Sequence, residues 1–358
     1  MRYGLVGAGM MAQEHMRNLA LIPGAEVTAL ADPDEGMRTL SAGMAPGARA
    51  FSDYKEMLSA DLCDAYLIAG PNDLHHAMMI DVMATGKPIL CEKPLCTTSA
   101  DCRDLIARAE GRDAPIWVAM EYRFMPPAQR LLAEVRGGTI GTPRMFAIRE
   151  HRFPFLPKVG DWNRFSARTG GTLVEKCCHF WDLMRLVLQS DPVRVYASAA
   201  MDVNHLDERY GGETPDIIDN AFAVVDFASG ARAMLDLCMF AEGSYWQELL
   251  TVTGEKARIE ARVPGPARFS ADGSERHAEI VLSDRASKRE TTEVIEVDEN
   301  ILQAGDHHGS TFFQHQKFHD LIKSGKGTPE VSLQDGLWSV LVGEAAEQSA
   351  RETRAIEI

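Results

Sequence analysis

The sequence predicts a two-domain α/β protein. The first domain is expected to hold a doubly wound parallel sheet, and the second a large, mostly antiparallel open sheet. Strand and helix patterns alternate up to about residue 120, which is typical of a parallel sheet with helices on both faces. Beyond residue 140 most segments are strand-like, several with period-two alternation. The length of 358 residues also favours two cores over one. We expect domains at residues 1–122 and 123–358.

Composition and charge exclude several classes of protein. A hydrophobic content of 45% with 25% charged residues is typical of soluble globular proteins. The formal net charge of −15 argues against a nucleic-acid or anionic-membrane partner. No apolar run approaches membrane-spanning length and no signal-peptide pattern precedes the first strand, so we expect a cytoplasmic protein. The seven cysteines form no C-x-x-C pair, which predicts reduced thiols rather than disulfides or a zinc site.

The first predicted strand, residues 2–6, runs directly into a glycine-rich turn, Gly7-Ala8-Gly9-Met10-Met11-Ala12. This is the G-x-G-x-x-A form of a dinucleotide-binding turn. The first glycine permits a tight turn, the second lets backbone approach a pyrophosphate, and the small third residue lets helix pack against strand. A helix predicted over residues 12–21 then offers its N-terminal N–H groups to phosphates. The predicted cofactor-binding residues here are Gly7, Gly9, Met10, Met11 and Ala12.

The second predicted strand, residues 25–31, ends at Asp32. This acid lies 20 residues beyond Ala12, where dinucleotide-binding folds place the carboxylate that accepts hydrogen bonds from the adenosine ribose. A carboxylate would repel a 2′-phosphate, and the following Pro33-Asp34-Glu35 offers no arginine to receive one. The sequence therefore predicts NAD as the cofactor, in preference to NADP.

Polar side chains follow two later strands of the first domain. The strand at residues 64–69 leads into Pro71 and Asn72, and His75 lies at the start of a helix predicted over residues 74–85. The strand at residues 88–92 leads into Glu92-Lys93-Pro94 before a helix over residues 98–109, and a strand at residues 116–120 closes the series. Because open α/β sheets bind ligands at the carboxyl ends of their strands, these residues are candidates for the site. The structural alternatives are a helix N-cap at residues 72–73 and a surface lysine.

The second domain begins with strands predicted at residues 144–151, 193–199, 221–227, 231–239 and 249–253, with a hairpin turn at residues 228–230. Further short strands are predicted between residues 257 and 297, and helices over residues 311–324 and 333–351.

A helix predicted from about residue 170 to residue 188 carries the third group of candidates. Glu175 and His179 are four residues apart and so share a helix face, with Asp182 three residues further on. A carboxylate beside an imidazole can orient it and raise its basicity, as a proton-accepting histidine requires. The alternative is a buried structural histidine. Adjacent Cys177 and Cys178 point to different helix faces, so no metal site is expected.

These motifs, in this order, resemble the glucose–fructose oxidoreductase/inositol dehydrogenase (Gfo/Idh/MocA) family. Tyr122-Arg123-Phe124-Met125-Pro126, Gly138-Thr139-Ile140-Gly141 and the closing segment from Ser332 extend the resemblance over essentially the whole chain. The resemblance implies a Rossmann domain at residues 1–122 that binds NAD or NADP. It implies a substrate-binding and oligomerisation domain at residues 123–358, with the last helix able to pack back on the first domain. We therefore expect a homodimer or homotetramer formed through the second sheet.

The resemblance also implies roles for the three catalytic candidates. Lys93 takes the place of a substrate-positioning and proton-relay lysine, and His179 that of the general acid/base. Glu175 stands where the family usually has aspartate, and Lys176 belongs to the segment that replaces the more usual small residues before the histidine.

Other positions take binding roles by the same resemblance. Asn72 and His75 line the nicotinamide end, Glu92 lies close to it, and the peptide before Pro94 is often cis in the family. Polar and aromatic residues that could bind the remaining substrate hydroxyl groups are Arg123, His151, Arg152, Asp161, Trp162, Arg164, Lys176, Tyr245, Trp246 and His308.

The sequence thus predicts an NAD-dependent dehydrogenase that oxidises a secondary alcohol of a sugar, sugar derivative or inositol. Two alternatives remain open. One is a non-redox elimination or glycoside cleavage through a transient keto intermediate, which also needs NAD. The other is a non-catalytic, NAD-linked sensor, which would have no need for the pair Lys93 and His179.

Overall fold

A computed structural model of the chain describes residues 1–271, 273–274 and 276–358. The first domain is built on a six-stranded parallel sheet in the order β3-β2-β1-β4-β5-β6. Its strands are β1 Arg2–Val6, β2 Glu26–Ala31, β3 Arg49–Phe51, β4 Ala65–Ile68, β5 Ile89–Cys91 and β6 Ile116–Val118. Its helices are α1 Met10–Leu19, α2 Glu35–Met44, α3 Tyr54–Ser59, α4 His75–Met83 and α5 Ser99–Arg108.

The strand order of this sheet reverses between β1 and β4. Open α/β sheets bind ligands in the crevice at such a reversal, outside the carboxyl ends of the strands. The central strands β4 and, after Arg2, β1 are buried, as expected where helices cover both faces of a parallel sheet. The turn after β1 and the segment after β4 therefore meet at the predicted binding edge.

The second domain is built on a nine-stranded sheet in the order β14-β13-β12-β11-β7-β10-β9-β8-β15. Its strands are β7 Pro143–His151, β8 Pro192–Ala200, β9 Asn220–Phe227, β10 Arg232–Cys238, β11 Trp246–Gly254, β12 Ala257–Pro264, β13 Ala278–Asp284, β14 Glu290–Ile295 and β15 Ile356–Glu357. Among these described strands, β7 and β10 pair in parallel and the other neighbours pair antiparallel. The predicted fold class is confirmed.

Seven α-helices of the described chain follow residue 125. They are α6 Pro126–Arg136, α7 Ser166–Thr169, α8 Thr172–Glu175, α9 Cys178–Leu188, α10 Glu299–Ala304, α11 Ser310–Ser324 and α12 Leu333–Glu352. The prediction of one helix from residue 170 to residue 188 is wrong, because the chain leaves the helix at Lys176 and Cys177 between α8 and α9. No helix in the described part of the chain combines the length and apolarity needed to cross a membrane.

One face of the nine-stranded sheet packs on helices, and the other carries exposed apolar side chains. Along β9, for example, Ala221, Ala223 and Val225 are buried whereas Phe222 and Val224 are exposed. This alternation places the hydrophobic core on the helix side of the sheet. The expected dimer or tetramer, formed through the open face, stays a prediction.

Helix α12 contacts both halves of the chain. A Cβ atom added at Gly336 would lie 3.0 Å from Leu95 of the first domain. One added at Gly343 would lie 2.7 Å from the carbonyl oxygen of Leu173 in the second. Both glycines therefore permit close approach of the helix, and Ser332 begins it with a capping box that includes Asp335.

Candidate active site

A cavity of about 1050 Å³ lies at the carboxyl ends of the first sheet's strands and is lined by both domains. It brings together residues that are far apart in the sequence. The predicted site residues that line it are Gly7, Gly9, Met10, Met11, Asp32, Pro71, Asn72, Glu92, Lys93, Arg152, Trp162, Glu175, Lys176 and His179. The predicted site residues that do not line it are Ala12, His75, Arg123, His151, Asp161, Arg164, Tyr245, Trp246 and His308.

The glycine-rich turn forms a cradle at one end of the cavity. Gly7 has a φ of +99°, and a Cβ atom there would lie 2.6 Å from the carbonyl oxygen of Ala69. Gly9 is the N-cap of α1, without a side-chain cap, and a Cβ atom there would meet nothing within 4 Å. Backbone N–H groups of the first helical turn are thus left for a ligand in the cavity, as a pyrophosphate requires.

Asp32, at the predicted adenosine corner of this cradle, is held by backbone hydrogen bonds. Its Oδ2 accepts from the N–H of Ala8 at 2.8 Å, and its Oδ1 accepts from the N–H of Asp34 at 2.9 Å. Arg38 donates to the carbonyl oxygens of Asp32 and Pro33, each at 2.7 Å, and does not line the cavity. The corner therefore presents a carboxylate without an adjacent cavity-lining arginine, which fits a free ribose better than a 2′-phosphate.

Lys93 follows β5 and lines the cavity, and the peptide bond that joins it to Pro94 is cis. Its Nζ donates to the carbonyl oxygen of Glu175 at 3.2 Å. Burial by itself lowers the pKa of Lys93, but the acidic groups of Cys178, Glu175 and Glu121 raise it, and the net pKa lies above its ordinary value. Burial raises the pKa of the Cys178 thiol to about 12, so at neutral pH the carboxylates are what keep Lys93 charged.

His179 lies in the first turn of α9, and its side chain is 2% exposed. Its ring stacks on that of Tyr122, with centroids 4.2 Å apart and an interplanar angle of 10°. Burial, and then the positive charges of Lys93 and Lys176, hold the pKa of His179 well below its ordinary value. The imidazole is therefore neutral at pH 7, which is the form that can accept a proton.

The carboxylate beside His179 is Glu121, not Glu175. The Oε1 of Glu121 lies 3.5 Å from the Nε2 of His179. The carboxylate of Glu175 lies instead 3.7 Å from the Nζ of Lys158. The expected pairing across one helix face requires a continuous helix, and the interruption between α8 and α9 removes it.

Sequence reasoning missed Glu121 although a signal for it was present. Glu121 begins a 3₁₀ turn, Glu121–Phe124, just past the carboxyl end of β6. The same rule about strand ends that selected Lys93 applies there. Lys158, Glu14 and His307 also line the cavity, and no local motif marked them.

Lys176 belongs to a buried polar cluster beneath the stacked rings. Its Nζ donates to the hydroxyl of Tyr122 at 2.6 Å and lies 2.9 Å from the Oε1 of Glu150. The Tyr122 hydroxyl in turn donates to the Oε1 of Glu248 at 3.2 Å. Burial and the charge of Glu150 raise the pKa of Glu248 to about 7. The cluster fixes the tyrosine ring on which the histidine lies.

At the predicted nicotinamide end, Asn72 and Glu92 line the cavity but His75 does not. His75 is fully buried, with its Nδ1 2.8 Å from the carbonyl oxygen of Pro94 and its Nε2 3.1 Å from that of Gly70. It therefore links the segments that follow β4 and β5. Glu92 lies 2.8 Å from the Nε2 of His15 through its Oε1, an interaction that lowers the pKa of Glu92 against the effect of burial.

Several predicted substrate residues have structural partners elsewhere. Arg123 is buried and pairs with Asp182, the acid that follows His179 on α9. His151 lies 3.1 Å from Asp236 on the neighbouring strand. His308 is buried outside the cavity. The described residues hold no group of His, Cys, Asp and Glu side chains arranged to bind a metal ion.

Comparison with known proteins matches both domains to one family. Residues 1–120 match the oxidoreductase family GFO_IDH_MocA, NAD-binding Rossmann fold, and residues 133–358 match its C-terminal alpha/beta domain. Myo-inositol 2-dehydrogenase of Thermotoga maritima is 28% identical over 100% of this chain and 98% of its own length. Inositol 2-dehydrogenase 2 of Saccharopolyspora erythraea is 29% identical over 77% of each chain.

A solved structure of levoglucosan dehydrogenase in complex with NADH has the same fold. It superposes with a TM-score of 0.83 at 18% identity and covers 100% of this chain and 99% of that chain. The resemblance inferred from the sequence motifs is confirmed. Because the two family matches together span almost the whole chain, this protein belongs to the Gfo/Idh/MocA oxidoreductase family and is an NAD-dependent oxidoreductase.

Proposed function

We propose that this chain oxidises a secondary alcohol of a sugar, sugar derivative or inositol, with His179 as acid/base and Lys93 polarising the hydroxyl group. The observation that carries this proposal is that one cavity holds both a buried neutral imidazole and a buried ammonium group. The inositol dehydrogenases to which the chain is similar support a cyclitol or related polyol as the substrate.

The charge states of the two groups suit the two halves of an alcohol oxidation. When bound, NAD supplies the hydride acceptor. Lys93, kept cationic by neighbouring carboxylates, lowers the pKa of a substrate hydroxyl and stabilises the alkoxide that develops. His179, kept neutral by burial and nearby lysines, accepts the hydroxyl proton. The backbone carbonyl of Glu175 holds the lysine at the cavity wall.

The polar lining of the cavity favours a substrate with several hydroxyl groups. The Oε2 atoms of Glu121 and Glu175 are buried and have no hydrogen-bond partner among the described residues. Buried acceptors are stabilised when a donor reaches them, and a polyol offers several donors. Lys158 and Lys176 are each paired with a glutamate, so these two lysines are not left to bind an acidic substrate.

A substrate panel with matched variants tests the proposal. Sugars, sugar acids and inositols are incubated with NAD or NADP, and the absorbance of the reduced cofactor is followed. We expect NADH to accumulate with a polyol, and His179→Ala and Lys93→Ala each to lower kcat/KM by about 100-fold or more. Losses below about threefold in both variants, or turnover without accumulating NADH, would overturn the assignment.

A further inference from the structure

The proposed oxidation leaves a proton on a side chain with almost no contact with solvent. His179 is 2% exposed, and its ring is covered on one face by Tyr122. Each turnover releases one proton, so the imidazole must lose that proton before it can act as a base again. The structure therefore has to provide a route from His179 to water.

A line of alternating acids and imidazoles leads away from His179. The Oε1 of Glu121, at the end of β6, lies 3.5 Å from the Nε2 of His179. The same Oε1 atom lies 4.0 Å from the Nδ1 of His307, in the loop before α11. That Nδ1 lies 3.6 Å from the Oε1 of Glu14 on α1. Three separate elements thus meet beside the proposed base.

We propose that Glu121 and His307 carry the proton from His179 to solvent, with Glu14 as the positioning residue for His307. This inference rests on the proposed function, because it concerns the proton that alcohol oxidation releases. The exposed fraction of the side chains rises along the route, from 2% and 3% at His179 and Glu121 to 17% at His307. His307 is therefore the point at which the route meets water.

The charges around Glu121 suit a group that exchanges a proton near neutral pH. Burial and the charge of Glu92 raise the pKa of Glu121 to about 7, while His307 and Lys93 act in the opposite direction. Burial lowers the pKa of His307, but Glu14 and Glu121 raise it above its ordinary value overall. The relay thus passes from an imidazole of low pKa to groups of higher pKa, which is the direction needed for alcohol oxidation.

The proton balance of the route is simple. The substrate hydroxyl gives its proton to His179 as the hydride leaves the same carbon. The imidazolium then protonates the carboxylate of Glu121, which protonates His307, and His307 gives the proton to water. Each transfer moves one proton and no electrons. Closing the longer gaps to hydrogen-bond distance requires movements of about 1 Å, within the range of a small side-chain rotation.

Replacing Glu121 by glutamine tests the relay, because glutamine has the same shape and cannot accept the proton. In Glu121→Gln we expect the steady-state kcat to fall at least tenfold, while the rate of hydride transfer in the first turnover changes less than threefold. Glu121→Asp should recover part of the lost kcat. Formate, a small carboxylate, should restore turnover in Glu121→Ala at least threefold.

A measurement on cofactor-free protein gives a readout independent of activity. In ¹⁵N-histidine NMR, the signals of His179 and His307 should both shift in Glu121→Gln, because both rings face its carboxylate. Glu347→Gln is the matched control. Glu347 is also a buried glutamate with a pKa raised by burial to about 7, but it lies outside the cavity. This variant should keep the wild-type kcat, pH profile and histidine signals.

The outcomes separate failure of the relay from failure of the proposed function. If wild type transfers no hydride from any polyol, the proposed function fails and the relay falls with it. If wild type is active and Glu121→Gln keeps its kcat and pH profile, the relay alone is overturned. Equal loss of first-turnover and steady-state rates without formate rescue also overturns the relay, because Glu121 then acts in the hydride step. If Glu121→Gln does not fold, the kcat of Glu121→Asp and the formate rescue of Glu121→Ala distinguish these results.

Discussion

The ring of Tyr122 lies parallel to the imidazole of His179 at a centroid distance of 4.2 Å. The tyrosine hydroxyl is fixed from below by Lys176 and Glu248. The tyrosine thus supports the proposed base in two separable ways, through its ring and through its hydroxyl group. A parallel ring restricts the tilt of the imidazole, and the hydrogen bonds restrict the position of the ring.

Two substitutions at Tyr122 separate these contributions. Tyr122→Phe keeps the ring but leaves the Lys176 ammonium with one partner fewer, so we expect a loss of stability of about 1–3 kcal/mol and a loss of kcat/KM below tenfold. Tyr122→Leu removes the stacked ring, so kcat/KM should fall further than in the phenylalanine variant. Steady-state kinetics and urea denaturation measure both effects. A leucine variant more active than the phenylalanine variant would contradict a role for the ring.

The two glycines of the dinucleotide turn should respond differently to alanine. Gly9→Ala should lower the urea midpoint only slightly, because the added methyl group meets no protein atom within 4 Å and alanine is only a somewhat weaker N-cap than glycine. It should weaken NAD binding at least tenfold, or about 1.4 kcal/mol, because the methyl group projects where the pyrophosphate is expected. Gly7→Ala should destabilise the fold itself by about 2 kcal/mol or more, since its φ of +99° and the contact with Ala69 both oppose a side chain.

Calorimetric titration with NAD and denaturation of each variant check these expectations. The glycine pair is its own control, because one change is predicted to act on the ligand and the other on the fold. Unchanged NAD affinity in Gly9→Ala would mean that the cofactor phosphates do not lie over this turn.

Asp32 should set the preference for NAD over NADP. Asp32→Asn keeps an oxygen that can accept from the N–H of Ala8 and removes the negative charge that repels a 2′-phosphate. We expect the ratio of NADP to NAD affinity to rise about tenfold, equivalent to about 1.4 kcal/mol. Measured dissociation constants for both cofactors test this. An unchanged ratio would show that steric fit at this corner, rather than charge, selects the cofactor.

The buried carboxyl group of Glu347 should make the free energy of unfolding depend on pH. Burial raises its pKa from an ordinary 4.5 to about 7, so between these values the folded protein binds a proton that the unfolded chain has lost. The wild type therefore loses stability as pH rises through this range, by roughly 3 kcal/mol at most from this group. Glu347→Gln cannot ionise and keeps an oxygen to accept from the N–H of Leu173.

The comparison of variant with wild type isolates this effect from other titrating groups. The free energy of unfolding of Glu347→Gln should become larger relative to that of wild type as pH rises from about 5 to about 8, because only the wild type loses stability from this group. Urea denaturation at several pH values measures it. A difference that stays constant with pH would show that this carboxyl is already ionised at pH 5 in the folded state.

Local sequence patterns predicted those parts of the fold and site that depend on local geometry. The glycine turn and Asp32 lie within one strand–helix–strand unit, so their spacing alone indicated the shared corner. The prediction of Glu175 as the partner of His179 used helical spacing across a segment where the helix is interrupted. The pattern of residues in this segment gives no sign of the interruption, so a prediction from local spacing could not include it.

Local spacing of residues in the sequence could not predict contacts between distant segments. Glu14 and His307 are separated by almost the whole chain, yet they lie 3.6 Å apart. Neither belongs to a motif, and only the packing of α1 against the loop before α11 brings them together. Four elements, α2, β3, α3 and α6, were also not predicted. The other strands of the first sheet and the mostly antiparallel second sheet were.

The placement of α12 has a consequence for how the chain unfolds. With Gly336 against Leu95 and Gly343 against Leu173, a single helix contributes to both hydrophobic cores. Neither core can open without losing the contacts of this helix. We therefore expect the two domains to unfold together, although each has its own sheet. One calorimetric transition is therefore expected for the whole chain.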